Sequence, residues 1–296
     1  MPHILTLIAQ PGALEPALVS RARAALDALG GAPETPDWLS EGEAADIPFT
    51  GAADQAVAAV HAAVAGAPVD AIAQPREGRR KGLLVADMDS TIVTTETLDE
   101  IAAFAGLKDK IAAITARAMN GELDFREALV ARVAMLEGLD ISALDRTWAE
   151  TPIMPGAREL VATMRAHGAT CCLASGGFTF FTGRVAETLG FHLHVSNTLL
   201  VEDGKLTGRV AEPIFGRDGK LATLTRLASE NGLPMEATLA VGDGANDLDM
   251  IRAAGLGVAF RAKPAVAAAA RAKVEHGDLT ALLFAQGYRR VEFVKG

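Results

Sequence analysis

The chain has 296 residues, half of them apolar, 22% charged and 5% aromatic, with a net charge of −9. The apolar share excludes a disordered chain, and this length can bury a sizeable core in one large domain or two moderate ones. The acidic balance argues against a general nucleic-acid binder, which needs surplus cations to neutralise phosphates.

Ile4 to Ile8 is a short apolar run closed by Pro11 and Gly12, which fits a buried strand. No basic flank precedes it, the first arginine being Arg21, so no signal peptide is expected. Leu14 to Leu29 has helical spacing and stops at Gly30-Gly31. Residues 31–51, rich in Pro, Glu, Asp and Gly, read as a loop. A second helix is expected over Ala53 to Ala65 and a strand near Val69 to Ala73. Residues 1–75 thus form a small α+β domain. The boundary falls between Pro75 and Lys81, where the one dense basic cluster reads as solvated linker.

Beyond it the pattern changes. Leu83 to Ala86 is a continuous apolar run, as in a parallel strand buried on both faces, and similar runs recur at Thr170 to Ala174, Thr238 to Val241 and Leu256 to Phe260. Strand-loop-helix alternation predicts an α/β fold, a doubly wound parallel sheet over 82–296 with ligands at the strands' carboxyl ends. No strand-like run occurs between Leu98 and Met154, so a helical cap insertion is expected at about 98–154, placed to close over a site. Ala166 to Gly183 lacks Asp, Glu, Lys and Arg but carries four glycines and several polar residues, which a membrane-spanning helix does not favour. The adjacent Cys171 and Cys172 cannot staple distant segments. A soluble, cytoplasmic protein is expected, with neither nucleic acid nor membrane as a partner.

The first apolar run ends in Asp87-Met88-Asp89-Ser90-Thr91. Carboxylates at i and i+2 of an extended chain point to the same side. They can help hold a hard cation such as Mg²⁺; one can attack phosphorus and the other can work as acid and base. The alternative is an Asp pair capping the next helix. The third run ends in Gly242-Asp243-Gly244-Ala245-Asn246-Asp247, where acids again sit just past a strand among glycines. A calcium loop fails for want of a glutamate at its far end, and a plain turn remains open. Two acidic strand ends in one sheet could hold a metal from both sides. The second run ends in Ser175-Gly176-Gly177, whose hydroxyl and free N–H groups suit a phosphate oxygen, although taken alone it is a turn. Lys220 has no local signature and reads as a surface lysine.

In order and spacing, Asp87 to Thr91, Ser175-Gly176-Gly177, Lys220 and Gly242 to Asp247 resemble the haloacid dehalogenase-like phosphatases. Glu96 within Thr94-Thr95-Glu96-Thr97, with Phe125 and Arg132 in the insertion, is similar to the phosphoserine phosphatase pattern within that superfamily. The resemblance spans roughly Leu83 to Leu283, and the region before Pro75 more faintly resembles an ACT-like regulatory domain. It implies a Mg²⁺-dependent phosphatase that hydrolyses O-phospho-L-serine through an aspartyl-phosphate, the last step of serine biosynthesis. It makes Asp87 the nucleophile and Asp89 the general acid and base. Asp87, Asp89 through its backbone carbonyl, and Asp243 would hold the metal, with Asp247 in support. Ser175, Gly176, Lys220 and Asn246 would bind the phosphoryl group, and Glu96 and Arg132 would read the substrate's ammonium and carboxylate. Read from the residues alone, Glu96 also suits a helix dipole and Arg132 a surface ion pair. Met119 and Phe125 would line the lid, although apolar residues on helices are more often core. The other readings are a related phosphatase or phosphotransferase acting on another small phosphomonoester, and a non-catalytic amino-acid sensor. A homodimer is left open.

Overall fold

The structure is a computed structural model that describes residues 2–296. The N-terminal unit runs β1 (Pro2–Ala9), α1 (Pro16–Ala28), β2 (Asp37–Ser40), β3 (Ala44–Thr50), α2 (Ala53–Ala63) and β4 (Val69–Pro75). Its antiparallel sheet has the order β2-β3-β1-β4, the β-α-β-β-α-β arrangement of the ferredoxin-like motif. Residues 31–51, expected as a loop, instead contain β2 and β3. In β3 the apolar Ala45, Ile47 and Phe49 alternate with Ala44, Asp46 and Pro48, and all six are buried. One face packs on α1 and α2, while the other meets the rest of the protein. A buried aspartate on that second face, accepting from the Thr6 hydroxyl at 2.7 Å, masks the strand pattern.

The main body follows with β5 (Leu83–Ala86) and the cap helices α3 (Thr97–Ala103), α4 (Lys108–Met119), α5 (Phe125–Ala134) and α6 (Ser142–Ala149). The chain returns through α7 (Ala157–Ala166), β6 (Thr170–Phe178), α8 (Thr179–Leu189), β7 (Leu193–Asn197) and a hairpin of β8 (Leu199–Glu202) and β9 (Lys205–Val210). It ends with α9 (Arg217–Glu230), β10 (Thr238–Gly242), α10 (Leu248–Ala253), β11 (Leu256–Phe260), α11 (Pro264–Ala269), β12 (Ala272–Val274) and α12 (Ala281–Ala285). The six-stranded sheet is parallel throughout, in the order β12-β11-β10-β5-β6-β7. All four apolar runs are inner strands. The edge strands β7 and β12 are only partly buried and so lack a continuous apolar signal.

Two linkers lead into and out of the cap, and they pair with each other. Val93 bridges Ile153, Thr94 N–H donates to Pro152 at 3.1 Å, and Met154 N–H donates to Ile92 at 2.9 Å. The β8–β9 hairpin, which the sequence reading did not include, leans on the cap, where Gly138 N–H donates to Leu206 at 2.8 Å. Cys171 and Cys172 are unpaired and buried in β6, where burial pushes both thiols up to about 12.

Candidate active site

The strands β10, β5 and β6 lie side by side, so their three loops open at one end of the sheet. Asp87 leaves β5 with its N–H still donating to Val241 at 3.0 Å. Asp243 and Asp247 follow β10, and Ser175 to Gly177 close β6. These are the positions where an open parallel sheet binds ligands.

Lys220, fully buried near the start of α9, reaches this point with its ammonium 2.6 Å from Asp87 Oδ1 and 2.5 Å from Asp247 Oδ1. It is therefore no surface lysine. Burial pulls its pKa down, but Asp247 and Asp87 outweigh burial and the net shift is upward. For Asp87, burial is the largest cause of a strong upward shift, Asp247 adds to it, and Lys220 opposes it. Asp243 is raised by burial first, then by Glu96, Asp87 and Asp247.

Asp87, Asp243 and Asp247 each bring a carboxylate oxygen to within 4.8 Å of the other two. Asp243 Oδ2 is buried with no hydrogen-bond donor among the described residues, and its salt-bridge partner Lys263 stays 3.8 Å away. An oxygen-only cluster with an unspent buried carboxylate oxygen suits a hard divalent cation. The side chain of Asp89 stands apart from this trio. Its Oδ1 accepts the Thr97 N–H at the start of α3 (2.8 Å) and its Oδ2 accepts the Ser175 hydroxyl (3.3 Å). Burial, and next the Glu96 carboxylate, push the Asp89 carboxyl up to about 7. Ser90, just after it, has a left-handed φ of 56°, a strained turn held by its hydroxyl donating to Glu96 Oε1 at 2.7 Å.

Gly177 approaches Asp89 so closely that a Cβ there would lie 2.7 Å from Oδ2. Asn246 borders the same pocket, with its Oδ1 buried and unpartnered. From the cap, Glu96, Met119, Phe125 and Arg132 complete the lining. Arg132 is buried, and among the described residues no carboxylate lies within ion-pair distance of it. A surface ion pair is excluded.

One pocket thus gathers Asp87, Asp89, Glu96, Arg132, Ser175, Gly176, Asp243 and Asn246, with Lys220 touching it from behind Asp87. Sequence reasoning missed Asn197, whose amide donates to Gly176 and Phe215 (2.9 Å each) and whose oxygen accepts the Phe215 N–H, tying the Ser175 loop in place. It also missed Asp99 and Thr115. Both are polar residues in the buried stripes of α3 and α4, a signal that does stand in the sequence.

Residues 84–252 match the family model described as haloacid dehalogenase-like hydrolase. A phosphoserine phosphatase of Streptomyces coelicolor is 46% identical over 234 residues, 79% of this chain and 57% of the relative. Among solved structures, a phospho-aspartyl intermediate analogue of phosphoserine phosphatase is 38% identical with a TM-score of 0.67, covering 69% of this chain and 98% of that one. An unliganded probable phosphoserine phosphatase from Vibrio cholerae is 34% identical with a TM-score of 0.77, over 98% of this chain and 88% of that one. The chain spans 52–64% of the length of three of the curated relatives it matches, the Streptomyces coelicolor one among them. No helix among the described residues is long and apolar enough to cross a membrane. The family model takes in both acidic strand ends and the Ser175 loop between them, and by that match the chain belongs to the haloacid dehalogenase-like hydrolases.

Proposed function

We propose that the protein is a Mg²⁺-dependent phosphatase that hydrolyses O-phospho-L-serine to L-serine and phosphate, the last step of serine biosynthesis, in the cytoplasm. The observation that carries this reading is the presence of two sets of groups in one pocket. Asp87 and Asp89, with Lys220 behind them, make up the first; the buried Arg132 cation, with no carboxylate of the described residues in ion-pair distance, and the Glu96 carboxylate make up the second. A phosphomonoester with an ammonium and a carboxylate matches both sets, the carboxylate through a charge-assisted pair with the guanidinium.

In this mechanism Asp87 attacks phosphorus, forming the acyl phosphate as the ester P–O bond breaks. Asp89, protonated near neutrality by its raised pKa, gives its proton to the departing serine alkoxide. It then takes a proton from water, whose oxygen attacks phosphorus and releases phosphate while Asp87 regains its carboxylate. Ser175, Gly176 and Asn246 orient the phosphoryl oxygens, and Lys220 offsets the charge they gain. Asp87, Asp243 and the Asp89 carbonyl, supported by Asp247, would hold Mg²⁺, which supplies Lewis-acid neutralisation of the phosphoryl charge. The same reading treats residues 1–75 as an ACT-like domain and 82–296 as the phosphatase domain, with its cap at about 98–154.

The test is phosphate release from O-phospho-L-serine beside a panel of small phosphomonoesters, with and without EDTA. Asp87→Asn should lower kcat by roughly a thousandfold or more with little change in unfolding temperature. Undiminished release by the variant would remove Asp87 as nucleophile, and equal rates on all esters would remove phosphoserine as substrate.

A further inference from the structure

Arg132 is oriented by two other cap helices. Its Nε donates to Ala128 in its own helix at 3.1 Å, and one terminal nitrogen donates to the Thr115 hydroxyl of α4 at 2.8 Å. That hydroxyl lies 2.6 Å from Asp99 Oδ1 of α3 and donates to it. Asp99 and Thr115 are both buried, and neither borders the pocket that Arg132 lines. The second terminal nitrogen of Arg132 makes no hydrogen bond to a described residue.

A neutral hydroxyl therefore stands between a buried carboxylate and a buried guanidinium that form no direct ion pair. The separation has a chemical consequence. A carboxylate bonded directly to Arg132 would occupy the fork that a ligand carboxylate needs. Through the hydroxyl, Asp99 fixes the plane of the guanidinium and leaves its free edge for the ligand. A cation turned away by even an ångström loses the two parallel bonds on which such recognition depends.

We propose that Thr115 and Asp99 are positioning residues that, by aiming Arg132, set the enzyme's preference for phosphomonoesters carrying a carboxylate over those without one. The proposal rests on the reading of Arg132 as the carboxylate-binding group. It is tested on the full chain with Mg²⁺, using O-phospho-L-serine and phosphoethanolamine, the same ester without the carboxylate. Thr115→Val keeps shape and removes the hydroxyl. It should raise KM for phosphoserine roughly tenfold, the worth of one hydrogen bond to a charged group, with kcat within about twofold. Both constants for phosphoethanolamine should stay in place. Asp99→Ala should move selectivity in the same direction, and Thr115→Ser, which keeps the hydroxyl, should restore it. Equal losses on both substrates, or no loss on either, overturn the proposal. Arg132→Ala separates the two failures. If it abolishes the preference while Thr115→Val does not, the relay is wrong; if it leaves the preference intact, the reading of Arg132 falls with it.

Discussion

The charged side chains buried in this protein differ in how burial is offset. Lys220 is compensated by two carboxylates, whereas the Asp99 side chain has, among the described residues, only the Thr115 hydroxyl within hydrogen-bond distance. Burial therefore dominates at Asp99 and lifts its carboxyl from 3.8 to about 6. The folded protein then holds that proton more tightly than the unfolded chain does. The group adds stability in acid, fully below about pH 4, and withdraws it as pH rises through about 6. Asp99→Asn removes the titration. The difference in unfolding temperature should thus shift in favour of the wild type between about pH 7 and pH 4. A difference that stays flat over that range would contradict the raised pKa.

At the scale of elements, the acidic cluster depends on how closely α10 sits against β11. Gly257 lies in β11, and a Cβ there would fall 1.7 Å from the Ile251 carbonyl oxygen of α10. Neither element can absorb that overlap by turning a side chain, because the obstruction is backbone. Since α10 follows directly on Asp247, displacing the helix also displaces the loop that carries Asp243 and Asp247. Gly257→Ala should cost about 3 kcal/mol or more. Thermal unfolding of the purified variant checks it, and an unchanged midpoint would mean that the helix yields freely. The cap joins the body through the paired segments 92–94 and 152–154, and it also reaches a strand end directly, where the Thr97 N–H donates to Asp89 Oδ1 at 2.8 Å.

Across the whole molecule, the N-terminal sheet turns a partly polar face to the body. The Asp70 carboxylate accepts the N–H groups of Glu275 (2.8 Å), His276 (3.2 Å) and Gly277 (2.8 Å), the Gln74 amide donates to Ala285 at 2.5 Å, and Arg290 pairs with Glu43. Ile8, Leu39 and Ile72 belong to the same core as Phe284 and Tyr288. The two units are thus held by directional bonds as well as apolar contact. Asp70→Ala leaves three amide groups without their acceptor and should lower stability by about 2–4 kcal/mol. It should also speed proteolytic cutting within residues 76–81. Denaturant unfolding and a timed digest read the two effects, and wild-type behaviour in both would show that the Asp70 bonds do not hold the interface.

The sequence by itself determined the inner strands and the acidic residues that follow them. Leu83 to Ala86 and Thr238 to Val241 are continuous apolar runs because strands buried on both faces must be, and Asp87, Asp89 and Asp243 follow them within a few residues. Such signals are local, so one stretch of chain contains them. Lys220 is the opposite case. On composition and spacing it reads as a surface lysine, and only a resemblance to other chains placed it at the site. The fold carries it from α9 into contact with Asp87, 133 positions earlier, and Asp247, 27 positions later. Strand β3 was hidden for a related reason: Asp46 breaks the apolar pattern of a face that is buried only because the body covers it. The tertiary structure alone decided the Asn197 clamp, the path from Asp99 through Thr115 to Arg132, and the docking of Asp70. Each joins groups whose partners are set by packing between elements, and nothing in one stretch of chain encodes which distant hydroxyl or amide will arrive.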